Sequence, residues 1–478
     1  MIKQFNIHRV KWIPAVLLLA LFSCNKDALD TASESQLSSA DAFKTPARIA
    51  GLINGVYKTY KLGAGRLLLN TDIRGEDFIN QTNNAFTGFD GWANNYSNSS
   101  ADVASIWESA YSSINSSNIV IEGLEVSNGV IAEDLKKNYL GEARFLRAFN
   151  YFNLVTLYAR PYTEDNGASK GLPVRLKSDA SVEGKNLARS TVADVYKQII
   201  EDLDFAEQNL PLNYSTKELN TTRAHRNTAI ALKTRVYLSM GQYAKVITEA
   251  KKIVPQTAAP FSATSGVANA LQPDVLTPFS ADYTTTESVF SLPVTVADPP
   301  SNPLGASYNV NADFSVSAVG ILGNAQWAAT DNRRKLLRLN TTNGFYYLTK
   351  YAKPSPYLDY VPVIRYAEVL LNYAEAAAHE GATALSEALL KAVHLRSDAA
   401  YVFPAPATAT AQALIETIWR ERRIEFLGEG FRSNDLLRNL LPLPAKSSGS
   451  FQARQVNPAD NGYVFPLPNS EIIANKLL

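Results

Sequence analysis

A mainly α-helical fold, made of paired helices with irregular segments between them, is what this chain predicts. Three observations carry that expectation. Residues 139–158 run about five helical turns, with no Gly or Pro between Gly141 and the closing Pro161. Residues 228–252 and 365–395 each read as helix, Gly turn, helix, with Gly241 and Gly381 at the turns and small residues at the contact. Residues 255–351 break the pattern: they are rich in Pro, Thr, Ser and Asn, and offer only short β-like runs such as 288–296.

The helix over 139–158 is expected to be central. Leu140, Ala143, Leu146, Phe149, Leu154 and Leu157, with several aromatics, leave no purely polar face, so neighbours are needed on most sides. Glu142, Arg144, Arg147, Asn150 and Asn153 drift around the axis, and any that are buried must be paired. Satisfied ion pairs in a core helix outweigh a catalytic role.

Composition bounds the function. Apolar residues are 46% and charged ones 19%, which is globular and not disordered. A net charge of +1 favours neither nucleic acid nor an anionic membrane face. Cys24 stands alone, so an internal disulfide and a Cys-based metal site are both excluded. Lys3, Arg9 and Lys11 precede an apolar run, 12–22, about half the roughly twenty residues that span a bilayer, so residues 1–23 read as an export signal. Leu21-Phe22-Ser23-Cys24 resembles a lipobox with Cys24 as the lipidated residue, and 24–40 reads as a flexible tether.

Beyond the tether, 41–254 forms an N-terminal helical region and 255–478 a C-terminal one that includes the insertion 255–351. Asp41 or Thr45 caps the first helix, whose apolar face is Ile49, Leu52, Ile53, Val56, Tyr57 and Tyr60. Residues 70–100 then change character: Asp72, Arg74, Glu76 and Asp77 lead into a stretch dense in Asn, Gly and Ser that holds Phe86, Phe89, Trp92 and Tyr96. Aromatic rings among amides suit a sugar, because the ring takes the C–H face while amide and guanidinium groups bond hydroxyls. Trp92 is either such a platform or an anchor packed on the core. Trp107 falls inside the apolar stripe of the next helix and is expected in the core. Ser190 or Thr191 caps a helix bearing Val195, Ile199, Leu203 and Leu210. In the insertion, Tyr308, Trp327, Tyr346 and Tyr347 are the aromatics, and Trp327 is a second candidate platform. Near the C-terminus, Glu416–Arg420 and Arg422–Glu425 are spaced for helical ion pairs, and these charges are expected to answer Arg144 and Arg147.

Four segments carry a resemblance. GEARFLRAFNYFNLVTLYARPY (141–162) is similar to the signature helix of the SusD/RagB family, the surface nutrient-binding lipoproteins of Bacteroidetes. VIRYAEVLLNYAEAAAH (363–379), IWRERRIEFLGEGFRSNDLLRN (418–439) and FPLPNSE (465–471) resemble three further family segments. The family commonly has an aromatic where Ser433 and Asn434 stand. The resemblance implies a scaffold of tetratricopeptide-like helical hairpins with irregular, short-β insertions. It implies that the insertion meets the 70–100 loop to close a ligand site, with Arg74, Asp77, Trp92, Asn94, Tyr96, Tyr308 and Trp327 as candidates. It further implies a non-enzymatic role: binding nutrient oligomers, with oligosaccharide expected, and delivering them to a SusC-like TonB-dependent transporter. The location implied is the outer membrane, lipid-anchored and facing the exterior.

Other chemistry finds no support. The four histidines lack zinc-helix spacing, and Gly63-Ala64-Gly65 lacks the Gly-Lys-Ser/Thr of a phosphate loop. Gly167-Ala168-Ser169-Lys170-Gly171 matches a nucleophile elbow in letters only, since polar loop flanks it on both sides. No cofactor or metal is expected. Two alternatives stay open: a lipoprotein hydrolase, and a tetratricopeptide-type scaffold for protein partners.

Overall fold

Thr45 opens the first long helix, its hydroxyl accepting the Arg48 amide while Pro46 fills the first turn. This helix, α1 (Pro46–Ile73), belongs to a computed structural model that describes residues 39–179, 186–280, 282–300, 302–309 and 313–478. Residues 1–38, on which the expected export signal, Cys24 and most of the expected tether fall, lie outside the described residues. α2 (Ala101–Val126), α3 (Glu133–Tyr158) and α4 (Val192–Asn209) follow, and Thr191 caps α4 through the Asp194 amide. α3 lies between α2 and α4 and also touches α1, so the helix with no polar face has neighbours around it. Trp107 is in the core of α2 as expected.

Each polar residue of α3 reaches a different neighbour. Arg147 forks onto Asp202 of α4 (2.7 and 2.8 Å) and donates to Asn118 of α2 (2.8 Å). Glu142 accepts two bonds from Arg223 and one from the Tyr57 hydroxyl of α1. Asn150 donates to Ser113. Arg144 stacks over the Phe205 ring at 4.1 Å. The expectation that charges near residue 420 answer Arg144 and Arg147 is therefore corrected: a fully buried Asp202 already satisfies Arg147 from the adjacent helix.

Two helical hairpins build the rest. α5 (Arg226–Ser239) turns at Gly241 (φ +67°) into α6 (Tyr243–Ala250), and α7 (Tyr366–His379) turns at Gly381 (φ +76°) into α8 (Thr383–Leu395). Distant in sequence, the hairpins pack together, with Arg235 forked onto Glu368 (2.5 and 2.6 Å) and Asn372 donating to Thr234.

The charges of α9 (Ala411–Glu425) and α10 (Arg432–Arg438) answer α7 and the insertion. Glu421 takes Arg333 and His394; Arg422 takes Asp435 and Asn372; Arg423 takes Asp77. Glu425 pairs with Arg333, Arg365 and Arg396, while Glu429 pairs with Arg365 and Lys350. Arg438 forks onto Glu375 of α7. The proline-bounded C-terminus lies across the helices: the Phe465 amide bonds Leu157, and Glu471 meets Arg175 and Trp107.

The strands of the insertion are short. β2 (Ser288–Leu292) pairs antiparallel with β6 (Val361–Arg365) just before α7. A four-stranded sheet in the order β1-β3-β5-β4 joins β1 (Phe78–Asn80) to β3 (Phe314–Val316), β5 (Tyr346–Leu348) and β4 (Leu337–Leu339). β7 (Lys446–Ser448) and β8 (Phe451–Ala453) form a hairpin beside β1.

Replacing Glu425 with Ala removes one buried counter-charge from each of Arg333, Arg365 and Arg396, and stability should fall by about 3–5 kcal/mol in chemical unfolding. Unchanged unfolding would remove the network from the list of things that hold the fold. Acid supplies a second test. Burial pushes the His225 imidazole from 6.5 down to about 4, so on acidification the unfolded chain takes up the proton first. The stability tied to this group is present above 6.5 and lost as pH falls toward 4, by about 3 kcal/mol. In urea unfolding across that window, wild type minus His225→Gln should decline with falling pH; a constant difference contradicts the assignment.

Candidate ligand site

The meeting of the 70–100 loop with the insertion is made by backbone. β1 and β3 pair antiparallel with Phe78 opposite Val316, Ile79 opposite Ser315 and Asn80 opposite Phe314, and Val316 in turn faces Tyr346 of β5. Side chains extend the seam: Gln81 donates to Ser315 (2.9 Å) and Thr82 to Asp313 (2.6 Å).

Most of the candidate residues lie beneath this seam. The Trp92 ring is 0% exposed, donates its indole N–H to Phe78 O (2.9 Å), stacks on Phe89 and has the Lys446 ammonium above it. Of the two readings open for Trp92, the packed anchor is the one found. Tyr308 is equally enclosed, stacked on Phe78 at 4.6 Å, and Trp327 is buried under the Arg334 guanidinium at 4.7 Å. As packed, none of these three rings turns a face to solvent. Asn94 is buried and donates to Arg454 O. Asp77 is buried, paired with Arg423 and accepting the Ile321 amide. Half-buried Tyr96 packs edge-on against Phe465 and bonds both Arg74 and Gly462 O.

Arg74 is a buried cation with no carboxylate partner among the described residues; it donates to Tyr463 O and lies against Phe465. Lys446, beside it, donates to the carbonyls of Ile73 and Gly75, and burial pushes its ammonium well below the usual lysine range. Both cations sit at the C-terminus of the 28-residue α1, where unpaired carbonyls and the helix dipole favour positive charge.

Above this layer stands an exposed turn. The Phe86 ring is 74% exposed, its amide bonded to the Asn84 side chain and its carbonyl to Arg66. Asn80 Oδ1 accepts the amides of Thr82 and Asn83, leaving exposed Asn83 and Asn84 beside the ring. Gly88 (φ +108°) lets the turn settle on the sheet, since a Cβ there would lie 2.8 Å from Ile73 and 3.3 Å from Phe314. Sequence reading placed Phe86 in the aromatic loop without selecting it. The signal that distinguishes it is its place inside the Asn-Asn-Ala-Phe-Thr-Gly turn, away from the residues that repack on the C-terminal segments.

Glu76 and Asp77, beside the seam, are locked to arginines. Burial alone would raise Glu76, yet Arg432 and Arg423 outweigh it and hold the carboxyl down at about 2. Asp72 goes the other way, up to about 7, because burial dominates over the amides of Gly430 and Phe431 that it accepts. A carboxyl titrating near neutrality invites a catalytic reading. The cavity it borders measures only about 10 Å³, room for a water and not for a substrate. Among the described residues no group of three or more His, Cys, Asp or Glu is placed to hold a metal ion, and no helix is long and apolar enough to cross a membrane.

Residues 27–238 match the family described as "Starch-binding associating with outer membrane", and 326–478 match the SusD family. SusD-like protein P2 of Formosa agariphila is 26% identical over 525 residues, covering 97% of each chain. A SusD superfamily protein from Bacteroides fragilis superposes with a TM-score of 0.82 at 32% identity, over 92% of this chain and all of that one. A laminarin binding SusD-like protein shares the fold at 20% identity (TM-score 0.70, 91% of this chain and 99% of the other). With both ends matched and a relative of this identity superposed along its whole length, the chain belongs to the SusD family.

Proposed function

We propose that this protein captures oligosaccharide at the cell surface and passes it, unaltered, to a SusC-like TonB-dependent barrel in the outer membrane. Membership of a family described as starch-binding supports the ligand class, and related folds include the laminarin binding protein and a putative sugar binding protein from Bacteroides vulgatus. Lipid at Cys24, followed by the tether, gives attachment to the outer leaflet, and the transporter surface gives the second anchoring contact that a stable complex needs.

The observation that carries the reading is the exposed Phe86 ring on an amide-rich turn fixed to a sheet. An aromatic face takes the C–H side of a sugar, while Asn83, Asn84 and Thr82 offer donors and acceptors to its hydroxyls. Of the buried candidates, Trp92 stacks on Phe89 and Tyr308 on Phe78, the residues that flank the turn, while Trp327 is buried under Arg334. Binding without turnover is supported by Glu76 and Asp77, which are paired with arginines, and by Asp72, which is enclosed.

On a glycan panel, Phe86→Ala should lose at least about tenfold in affinity while thermal unfolding stays unchanged. Trp92→Ala, by contrast, should lose about 3–5 kcal/mol of stability. Full binding by the Phe86 variant would move the site elsewhere, and release of product from a bound polymer would overturn the non-enzymatic reading. Co-purification with a large barrel in mild detergent checks the partner.

A further inference from the structure

On the flank of α1 away from the aromatic turn, a cleft of about 320 Å³ opens among three segments. Asn54, Tyr57, Lys58 and Lys61 line it at helical spacing from α1. Arg223 closes one side, and Pro293 with Asp298 the other. Its volume falls at the low end of the range for small-molecule sites, about 300–1,000 Å³. The cavity on the other side of α1, beside Tyr60, holds only about 10 Å³.

The lining is held in place before any ligand arrives. Arg223 forks onto Glu142 (2.8 and 2.9 Å) and donates to Asn54 (3.2 Å). The Tyr57 hydroxyl donates to Glu142 (2.6 Å) and accepts the Ala224 amide (2.8 Å). Lys61 donates to Pro293 O (3.0 Å) and pairs with Asp298 (2.7 Å). Lys58 differs from all of these: it is exposed and makes no ion pair or hydrogen bond among the described residues. Glu142 is buried behind Tyr57 and Arg223, with its oxygens taken. Arg223 is thus balanced by Glu142 and buried Lys61 by Asp298, which leaves Lys58 as the lining charge with no counter-ion among the described residues. The half-buried Tyr57 ring and Pro293 give the cleft a flat apolar wall.

We infer that this cleft is a second ligand site, sharing no residue with the Phe86 turn, for one acidic sugar ring. The carboxylate or sulfate ester meets Lys58, the uncommitted ammonium, and the C–H face of the ring lies on Tyr57 and Pro293. This rests on the saccharide reading above, and it adds the charge of the ligand to it.

Calorimetric titration of the full chain in detergent with glucuronic acid, galactose 6-sulfate and glucose tests the inference. Saturable binding of either acidic sugar, with none of glucose, is the expected result. That binding should weaken at least about tenfold in Lys58→Glu and in high salt, and survive Phe86→Ala. Lys58→Gln, exposed and without partners to lose, should weaken it less at an unchanged melting temperature. Binding of neither acid, equal binding of glucose, or indifference to Lys58→Glu would overturn the inference. Acidic-sugar binding lost in Phe86→Ala and kept in Lys58→Glu would sink the cleft alone and leave the proposed function standing. A glycan panel negative throughout, with glucuronic acid still held through Lys58, would sink the proposed function and leave the cleft.

Discussion

Everything in the C-terminal half depends on a buried cluster of charges around Arg365. That guanidinium is 2% exposed and meets Glu287, Glu425 and Glu429 at 2.5–2.7 Å. Glu425 also takes Arg333 and Arg396, Glu421 takes Arg333 and His394, and Lys350 closes on Glu429. Taking one such ion from water costs several kcal/mol, and a pair repays that only when every lone pair and proton finds a partner. A network of this kind is intolerant of rearrangement. It requires the strand before α7, the segment before β4, the end of α8 and the end of α9 to arrive together, because an absent member takes a counter-charge from each of its buried partners. The carboxyls record the result: burial would raise Glu421 and Glu425, yet the cations around them hold both below the usual range.

The same constraint reaches the loop that carries Phe86. Arg423, on the same helix as Glu421 and Glu425, pairs with Asp77 one residue before β1, and Arg432 pairs with Glu76. The amides of Gly430 and Phe431 bond Asp72 at the end of α1. The segment leading into the aromatic turn is thus fastened to the charge network. Above it the sheet β1-β3-β5-β4 draws the insertion in, and the turn at Phe86 projects from a rigid base. Pre-organisation of this kind suits a binder: ordering costs are met in folding, and little is left to be lost when ligand arrives.

Glycine marks where backbones come closest. Gly65 in α1 faces Pro303, where a Cβ would meet the ring at 2.0 Å, so the Gly63-Ala64-Gly65 run serves helix packing. The Ser433–Asn434 step leaves its own trace. Among the described residues Ser433 Oγ and Asn434 Oδ1 have no hydrogen-bond partner, and Asn434 borders a cavity of about 20 Å³. Small polar side chains do not fill that space, and it is large enough for a water molecule.

Periodicity, turn chemistry and capping are local properties, and they were readable from the chain alone. The central helix closed by Pro161, caps narrowed to Asp41 or Thr45 and to Ser190 or Thr191, the Gly241 and Gly381 turns, and the placement of Trp107 all follow from residues within a few positions of one another. That buried charges on α3 would be paired was equally legible, since physics forbids the alternative. Which partners they take was not: Arg147 chose Asp202, and Glu425 chose Arg365, because pairing is decided by which helices lie side by side. The aromatics show the same division. Trp92, Tyr308, Trp327 and Phe86 look alike in sequence, each a ring in a polar stretch. Only the tertiary structure lays Lys446 over the first, Phe78 against the second and Arg334 over the third, and leaves the fourth in water. Burial of a ring is set by whatever arrives from hundreds of residues away, and no local pattern encodes that arrival.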